Sequence, residues 1–148
     1  MSTPLSSSTT VLVVGAGIMG AGIAQVAAQA GHPVLLHDSR DGAAVAARTK
    51  LASTLDGLVA KGKMMADAAQ AALARITPIT ELAQGAAAGV VVEAVVEDLA
   101  AKRALFKQLE AIVAPGAVLA TNTSSISVTA IANGLQHPGR LVGMHFFN

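Results

Sequence analysis

The sequence predicts an α/β fold with a mostly parallel sheet and a helical arm between the second and third strands. Strand-like and helix-like segments alternate along the chain, which is the pattern of βαβ units. Hydrophobic residues make up 53% of the 148 residues and charged residues only 13%. Two features account for such an apolar composition: a parallel sheet that is buried on both faces, or a surface that normally contacts another domain. Ligands of such folds bind at the carboxyl ends of the strands.

Each predicted element rests on a local pattern. Short β-branched or apolar runs predict six strands, at 11–14, 33–38, 76–79, 89–96, 117–123 and 140–147. Apolar residues at helical spacing predict three helices, at 18–30, 98–113 and 127–135. The alanine-rich segment 41–75 is also helical in pattern, and we expect two helices there with a break near 61–63.

Composition and charge exclude several classes of protein. The net charge is +1 and no basic stripe is interleaved with aromatic residues, so nucleic-acid binding has no support. No apolar run approaches the roughly 18–20 residues of a membrane span, and we expect no membrane partner. The absence of cysteine excludes disulfides and thiolate metal sites, so no metal is expected, and it fits a cytoplasmic location. Residues 1–10 are expected to be a flexible Ser/Thr-rich tail, and 11–148 one domain.

A glycine-rich loop joins the first predicted strand to the first predicted helix. It has the pattern Gly15-x-Gly17-x-x-Gly20. Gly15 permits a tight turn, Gly17 lets the backbone approach a pyrophosphate, and Gly20 lets the helix pack closely on the sheet. Because the loop follows a strand and opens a helix, it indicates a doubly wound, Rossmann-type fold that binds a dinucleotide at the helix N-terminus.

Asp38 ends the second predicted strand. A carboxylate at this place accepts hydrogen bonds from a ribose diol and repels a 2′-phosphate, so we expect NAD rather than NADP. Arg40 lies two residues further on and could weaken that preference.

Polar residues also follow the fourth and fifth predicted strands. Glu97 lies at the end of the strand and can reach a ligand, whereas Glu93 lies earlier on it. The segment 122–125, Asn-Thr-Ser-Ser, supplies hydroxyls and an amide at the same edge. We interpret Ser125 and Ser127 as helix N-caps. The remaining groups suit hydrogen bonds to a substrate oxygen or to a nicotinamide.

Four motifs, in this order and spacing, give the chain a family resemblance. "GAGIMGAGIA", "VVEAVVED", "ATNTSS" and "GMHFFN" together resemble the NAD-binding domain of the 3-hydroxyacyl-CoA dehydrogenases. That family oxidises the 3-hydroxyl of an acyl-CoA to a ketone and transfers the hydride to NAD. The resemblance therefore implies NAD as cofactor and an acyl-CoA as substrate, with no indication of acyl chain length.

The resemblance also implies roles for individual residues. His145 would be the catalytic base, and Ser124 would contact both the substrate oxygen and the nicotinamide. The implied cofactor-binding residues are Gly15, Gly17, Ile18, Met19, Gly20, Asp38, Glu97, Lys102, Asn122 and Ser124. Thr54 and Lys61, in the helical arm, are placed by their distance from Asp38 and would contact CoA.

The histidines differ in their chemical interest. Leu141–Met144 is predicted as a buried strand, and His145 follows it. A histidine titrates near neutral pH and can take the proton that an alcohol loses as its hydride leaves. In isolation His145 could equally be a packing residue, but the Asn-Thr-Ser-Ser segment favours catalysis. His32 and His137 are interpreted as loop residues, and His37 as a packing residue.

The family orients its catalytic histidine with a glutamate about a dozen residues further on. It also has a helical C-terminal domain that covers the acyl-CoA and forms a homodimer. We therefore expect this chain to be one domain of a longer enzyme, or a truncated form, that binds NAD with little or no turnover. Two alternatives stay open: a dinucleotide-binding module without catalysis, and a dehydrogenase of free hydroxy acids.

Overall fold

The computed structural model describes residues 5–146, in which six strands form one parallel sheet. The strands are β1 Val11–Val14, β2 Val34–His37, β3 Ile76–Pro78, β4 Val90–Glu93, β5 Val118–Thr121 and β6 Leu141–Gly143. The α-helices are α1 Ile18–Gln29, α2 Ala43–Ala60, α3 Ala66–Ala74, α4 Leu99–Ile112 and α5 Val128–Ala132. Two short 3₁₀ helices, Leu82–Gly85 and Pro138–Arg140, were not predicted. The predicted fold class is confirmed.

The strand order is β3-β2-β1-β4-β5-β6, and all neighbours are parallel. The chain winds outward in one direction from β1 to β3, and then in the other from β4 to β6. The direction therefore reverses between β1 and β4. Open α/β sheets bind their ligands at such a reversal, outside the carboxyl ends of the strands.

Two apolar layers cover the two faces of the sheet. One contains Val13, Leu36 and Val92 with the alanine-rich faces of α1, α2 and α3. The other contains Leu12 and Val91 with apolar residues of α4 and α5. Because both faces are covered, the strands carry apolar side chains on both sides, which accounts for the apolar composition.

Five of the six predicted strands are shorter in the structure, and the two largest corrections, at the ends of β4 and β6, have the same cause. β4 ends at Glu93 rather than at 96, because its neighbour β1 ends at Val14, which pairs with Glu93. Glu97 therefore lies in a loop, and Glu93 is the last residue of the strand. β6 ends at Gly143 for a similar reason, since its neighbour among the described strands, β5, ends at Thr121.

β6 is also an edge strand rather than a buried one. Val142 is exposed over 42% of its surface, whereas Leu141 is buried. Residue 147, the last of the predicted strand, and residue 148 lie outside the described part of the chain.

The helical arm between β2 and β3 has the predicted break. α2 ends at Ala60 with Lys61 as its C-cap, and Gly62 follows with a φ of +69°. Arg48 on α2 holds the arm against the sheet, because its guanidinium donates hydrogen bonds to the carbonyl oxygens of Ile76 (2.7 Å) and Leu73 (3.0 Å). The base of the arm is therefore fixed to β3 and to the end of α3.

Within residues 5–146, none of the helices has the length and apolar character needed to cross a membrane. The same residues contain no group of three or more histidine, aspartate or glutamate side chains that could hold a metal ion.

Candidate functional site

The glycine loop is shaped by two close backbone approaches. Gly15 has a φ of +109°, and a Cβ there would lie 2.5 Å from the carbonyl oxygen of Ala94. A Cβ on Gly20 would lie 1.6 Å from the carbonyl oxygen of Gly15. Both positions therefore require glycine, as the motif predicts.

Gly17 has a different reason to be glycine. A Cβ on Gly17 would meet no protein atom within 4 Å, so it would project into open space. Gly17 is also the N-cap of α1, and among the described residues no side chain caps that helix. Ile18 is 85% exposed beside it, while Met19 packs against the core. The helix N-terminus thus offers backbone N–H groups and partial positive charge to an anion in that space.

Asp38 lies directly after β2, where its carboxylate bridges the glycine loop and the turn after β2 by hydrogen bonds. Its Oδ2 accepts a hydrogen bond from the backbone N–H of Ala16 (2.8 Å), and its Oδ1 accepts from the backbone N–H of Arg40 (2.8 Å). The Arg40 guanidinium also donates to both carboxylate oxygens, at 3.1 and 3.2 Å.

These contacts decide the charge of Asp38. Burial opposes ionisation, but the hydrogen bonds from the Arg40 guanidinium and from Ala16 outweigh it and lower the pKa of Asp38 from 3.8 to about 2. The carboxylate is therefore ionised at neutral pH. A ribose at Asp38 would have to share it with the guanidinium of Arg40, which is 69% exposed.

A cleft of about 580 Å³ opens beside the glycine loop, on the face of the sheet that carries α4. The cleft is lined by the first glycines of the loop, by residues at the ends of β2 and β4, and by one face of α4. The lining residues include Gly15, Gly17, His37, Asp38, Leu82, Val95, Leu105 and Gln108. The open space at Gly17, the helix N-terminus and Asp38 all border this cleft. Their arrangement fits a dinucleotide, with phosphates at the helix and a ribose at Asp38.

A buried ionic network lies below the adjacent ends of β4 and β5. The carboxylate of Glu93, which is fully buried, accepts hydrogen bonds from Thr121 Oγ1 (2.5 Å) and from the backbone N–H of Val95 (2.7 Å). It also forms an ion pair with Lys102, whose side chain is only 1% exposed. Lys102 Nζ further contacts Glu97 Oε1 at 3.2 Å and the carbonyl oxygen of Val95 at 3.3 Å.

The burial of Lys102 bears on its predicted role. Its ammonium group contacts three protein oxygens, and Lys102 is not among the residues that line the cleft. A direct contact between Lys102 and a cofactor stays a prediction.

Glu97 lies above this network and binds the loop after β5. Its Oε2 accepts hydrogen bonds from Thr123 Oγ1 (2.7 Å) and Ser125 Oγ (2.6 Å). Burial raises the pKa of Glu97, but the hydrogen bonds from Ser125, Thr123 and Lys102 outweigh it and lower the pKa to about 2. Ser125 is therefore not a helix N-cap, contrary to the prediction, whereas Ser127 is one: its Oγ accepts from the N–H of Ala130. Ser124, between the two hydroxyls bound to Glu97, is exposed.

The segment that carries His145 is held to the same loop at two points. The N–H of Met144 donates to the carbonyl oxygen of Thr121 (2.9 Å), and the N–H of Phe146 donates to Asn122 Oδ1 (2.9 Å). His145 lies between these two anchors and is exposed. The structure thus brings the His145 segment to the loop that contains Ser124, and it gives Asn122 a role in fixing that segment.

The helical arm borders a second cleft, of about 480 Å³, between α1 and α2. Thr54 lines this cleft together with Ile18, Gln25 and Lys50, and its hydroxyl donates to the carbonyl oxygen of Lys50 (3.1 Å). Lys61 is exposed at the C-cap of α2, outside the lining of this cleft. Thr54 and Lys61 are seven residues apart and so lie on the same side of the helix.

Sequence reasoning missed three features of this region. A carboxylate in a buried run such as Glu93 signals a partner, but the sequence does not single out Lys102, which is that partner. Lys50 faces the second cleft one turn before Thr54, a spacing that was visible in the sequence. His37 is buried, as expected of a packing residue, but the sequence does not reveal that its Nδ1 has no hydrogen-bond partner.

The sheet order, the glycine loop and Asp38 define a dinucleotide-binding domain of the Rossmann type. Residues 10–148 match the family described as "3-hydroxyacyl-CoA dehydrogenase, NAD binding domain". The chain belongs to this family of NAD-binding domains, as its motifs predict.

Known proteins similar to this chain support the same assignment. Over 139 residues it is 47% identical to 3-hydroxyadipyl-CoA dehydrogenase of Escherichia coli K12, covering 94% of this chain and 29% of that protein. It is 41% identical to 3-hydroxybutyryl-CoA dehydrogenase of Mycobacterium tuberculosis, covering 92% and 48%.

Among solved structures, a 3-hydroxybutyryl-CoA dehydrogenase from Escherichia coli K12 superposes with a TM-score of 0.92 at 46% identity, covering 95% of this chain and 30% of that chain. The chain thus spans less than half the length of these relatives.

Proposed function

We propose that this chain binds NAD in a 3-hydroxyacyl-CoA dehydrogenase that oxidises the 3-hydroxyl of an acyl-CoA to a ketone. The observation that carries the proposal is the double anchoring of the segment around His145 to the loop of Ser124. Two groups suited to one alcohol oxygen, a base and a hydroxyl, are thereby held at the ligand edge of a NAD-binding sheet.

In this proposal His145 accepts the proton of the 3-hydroxyl group. Ser124 donates a hydrogen bond to the same oxygen, whose negative charge rises as the proton leaves. NAD, when bound, accepts the hydride from the 3-carbon of the substrate, so that one proton and one hydride leave the alcohol together. Glu97 holds the hydroxyls on either side of Ser124, which leaves Ser124 to face the substrate.

The cofactor site follows from the glycine loop. The pyrophosphate would lie at Gly17 and the N-terminus of α1, beside Ile18, and the adenosine ribose at Asp38. Thr54 and Lys61 would contact CoA from the helical arm, and the exposed amine of Lys61 suits a phosphate.

A further part of the proposal concerns the orientation of His145. In catalytic triads a polar side chain fixes the tautomer of the histidine, and in this family a glutamate has that place. We propose that this carboxylate comes from a helical C-terminal domain, as in the family, and that the same domain forms a homodimer. In this view residues 11–148 are the NAD-binding domain of a cytoplasmic enzyme, and alone they bind NAD but turn over slowly.

The test measures NAD binding by calorimetry and NADH formation from 3-hydroxybutyryl-CoA under single-turnover conditions. We expect the chain to bind NAD and to react well below roughly 10 per second, the median enzyme rate. His145→Ala should lower the residual rate by about a hundredfold or more, because a general base contributes that much. His137→Ala, at an exposed loop histidine, is the matched control and should leave the rate unchanged.

Three outcomes would contradict the proposal. A rate near the median enzyme rate would show that no second domain is needed. A second outcome is that the protein binds NAD but His145→Ala leaves the rate of NADH formation unchanged, both in this chain and in a longer form of the protein. That result would favour a non-catalytic dinucleotide-binding module. Equal rates with 3-hydroxybutyryl-CoA and with free 3-hydroxybutyrate would favour a dehydrogenase of free hydroxy acids.

A further inference from the structure

The guanidinium of Arg40 uses the hydrogen-bonding positions of Asp38 that a ribose would need. Asp38 Oδ1 accepts from the backbone N–H and from the Nε of Arg40, and Oδ2 accepts from the backbone N–H of Ala16 and from Arg40 Nη2. Each oxygen thus has one backbone donor and one guanidinium donor. Because a carboxylate has about four acceptor positions in all, none is left for a further donor.

The backbone donors and the guanidinium differ in how firmly they are held. The N–H groups of Ala16 and Arg40 belong to the glycine loop and to the turn after β2, and they remain whatever side chain residue 40 carries. The guanidinium is 69% exposed, whereas the side chain of Asp38 beside it is only 8% exposed. An exposed ion pair contributes little to stability, so the guanidinium can leave the carboxylate at small cost.

A ribose diol matches the positions that the guanidinium would vacate. When the side chain of Arg40 moves away, Oδ1 and Oδ2 each regain one acceptor position, and a diol offers one hydroxyl to each. A ribose can therefore share Asp38 with the two backbone N–H groups once the guanidinium has given up its two hydrogen bonds. Arg40 is thus a competitor of the ribose in NAD.

NADP offers the guanidinium a different partner. Its 2′-phosphate replaces one hydroxyl of the diol, and Asp38 alone would repel it. Arg40 lines the same 580 Å³ cleft as Asp38. A guanidinium binds phosphate oxygens with paired, charge-assisted hydrogen bonds. A carboxylate that selects the diol and an arginine that suits the phosphate therefore border one cleft, two residues apart.

We infer that Arg40 sets how strongly this chain prefers NAD over NADP, because its guanidinium competes with the ribose diol for Asp38 and pairs with a 2′-phosphate. The inference rests on the proposed binding of NAD and makes Arg40 a specificity-determining residue. Removing the guanidinium should move the two affinities in opposite directions, towards tighter NAD and weaker NADP.

The test measures binding of NAD, NADP and nicotinamide mononucleotide to the 148-residue chain by calorimetry. Arg40→Met keeps an unbranched side chain and the backbone N–H but removes the guanidinium. It should tighten NAD about two- to fivefold, the worth of an exposed ion pair. It should weaken NADP about tenfold or more, the worth of a hydrogen bond to a charged group. Nicotinamide mononucleotide lacks the adenosine ribose, and its binding should not change.

Two further variants separate the fork of the guanidinium from its charge. Arg40→Lys keeps the charge but cannot donate to both carboxylate oxygens as a fork, so it should retain most of the NADP affinity. Lys107→Met removes the same charge from an exposed position on α4, outside the lining of the cleft, and should leave both dinucleotide affinities unchanged. Because residues 40 and 107 are exposed, all variants should melt near the wild-type temperature.

Four outcomes would overturn the inference. The first is a NAD affinity of Arg40→Met at or below that of the wild type. The second is wild-type binding of NAD without detectable binding of NADP. The third is an NADP affinity that Arg40→Met leaves unchanged. The fourth is a loss of NADP affinity in Arg40→Lys as large as that in Arg40→Met.

The same measurements distinguish this inference from the proposed function. If Arg40→Met shifts the two affinities as expected but no acyl-CoA is oxidised, also in a longer form of the protein, the proposed function fails and the inference stands. If acyl-CoA is oxidised with NAD but Arg40→Met changes neither affinity, the inference fails and the proposed function stands. If the wild-type chain binds neither dinucleotide, the inference fails and so does the proposed cofactor site.

Discussion

Replacing Lys102 with methionine tests the buried network that supports the candidate site. Methionine has nearly the same length but carries no charge, so the change removes the cation and leaves the packing volume almost intact. It leaves Glu93 fully buried with only Thr121 Oγ1 and the N–H of Val95 as partners. Removing one member of a buried ion pair costs about 3–5 kcal/mol. We expect Lys102→Met to lower the free energy of unfolding by that amount in urea denaturation.

The same helix offers a matched control. Lys107→Met makes an identical substitution on the exposed face of α4 and should change the free energy of unfolding by no more than about 0.5 kcal/mol. The double variant Glu93→Gln with Lys102→Met should recover part of the loss, because the unpaired charge is gone. A loss below about 1 kcal/mol for Lys102→Met would refute the reasoning.

The remaining predictions concern the glycine loop and the loss of folding stability at acidic pH. Gly20→Ala should destabilise the fold by about 3 kcal/mol or more, because its Cβ would lie 1.6 Å from a backbone oxygen. Gly17→Ala should change unfolding by no more than about 1 kcal/mol but weaken NAD binding roughly tenfold or more, since its Cβ occupies the phosphate space. Urea denaturation and NAD titration check both, and similar destabilisation by the two changes would contradict the model of the loop. Glu97 has a pKa lowered from 4.5 to about 2, so its stabilising contribution is present above pH 4.5 and is lost as the pH falls towards 2. The stability difference between wild type and Glu97→Gln, from melting temperatures, should therefore shrink over that range, and a constant difference would disprove the assignment.

The sequence patterns predicted the strands and helices because those patterns are local. The short apolar runs of the strands, the spacing of α4 and the break near Lys61 each follow from neighbouring residues. The ends of β4 and β6 were predicted too far along the chain. A strand ends where its neighbour ends, and the neighbours β1 and β5 lie far away in the sequence.

The candidate site was predicted as a set of residues but not as an arrangement. The motif placed Asp38 correctly at the end of β2. It did not show that the guanidinium of Arg40 already donates hydrogen bonds to the carboxylate of Asp38, because that contact depends on the conformation of the turn after β2. Asn122 was expected beside the cofactor, and the structure shows its amide oxygen bound to the N–H of Phe146.

The sequence by itself determined the alternating fold, the need for glycine at 15 and 20, and the membership of a NAD-binding family. These depend on backbone sterics, hydrophobic period and motif spacing along one stretch of chain. Only the tertiary structure decided that Glu93 pairs with Lys102 and Thr121, and that His37 lines a cleft with an unsatisfied nitrogen. Parallel strands are joined by long crossovers, so atoms that meet at the sheet edge come from distant segments. The register of β1, β4 and β5 brings those atoms into contact.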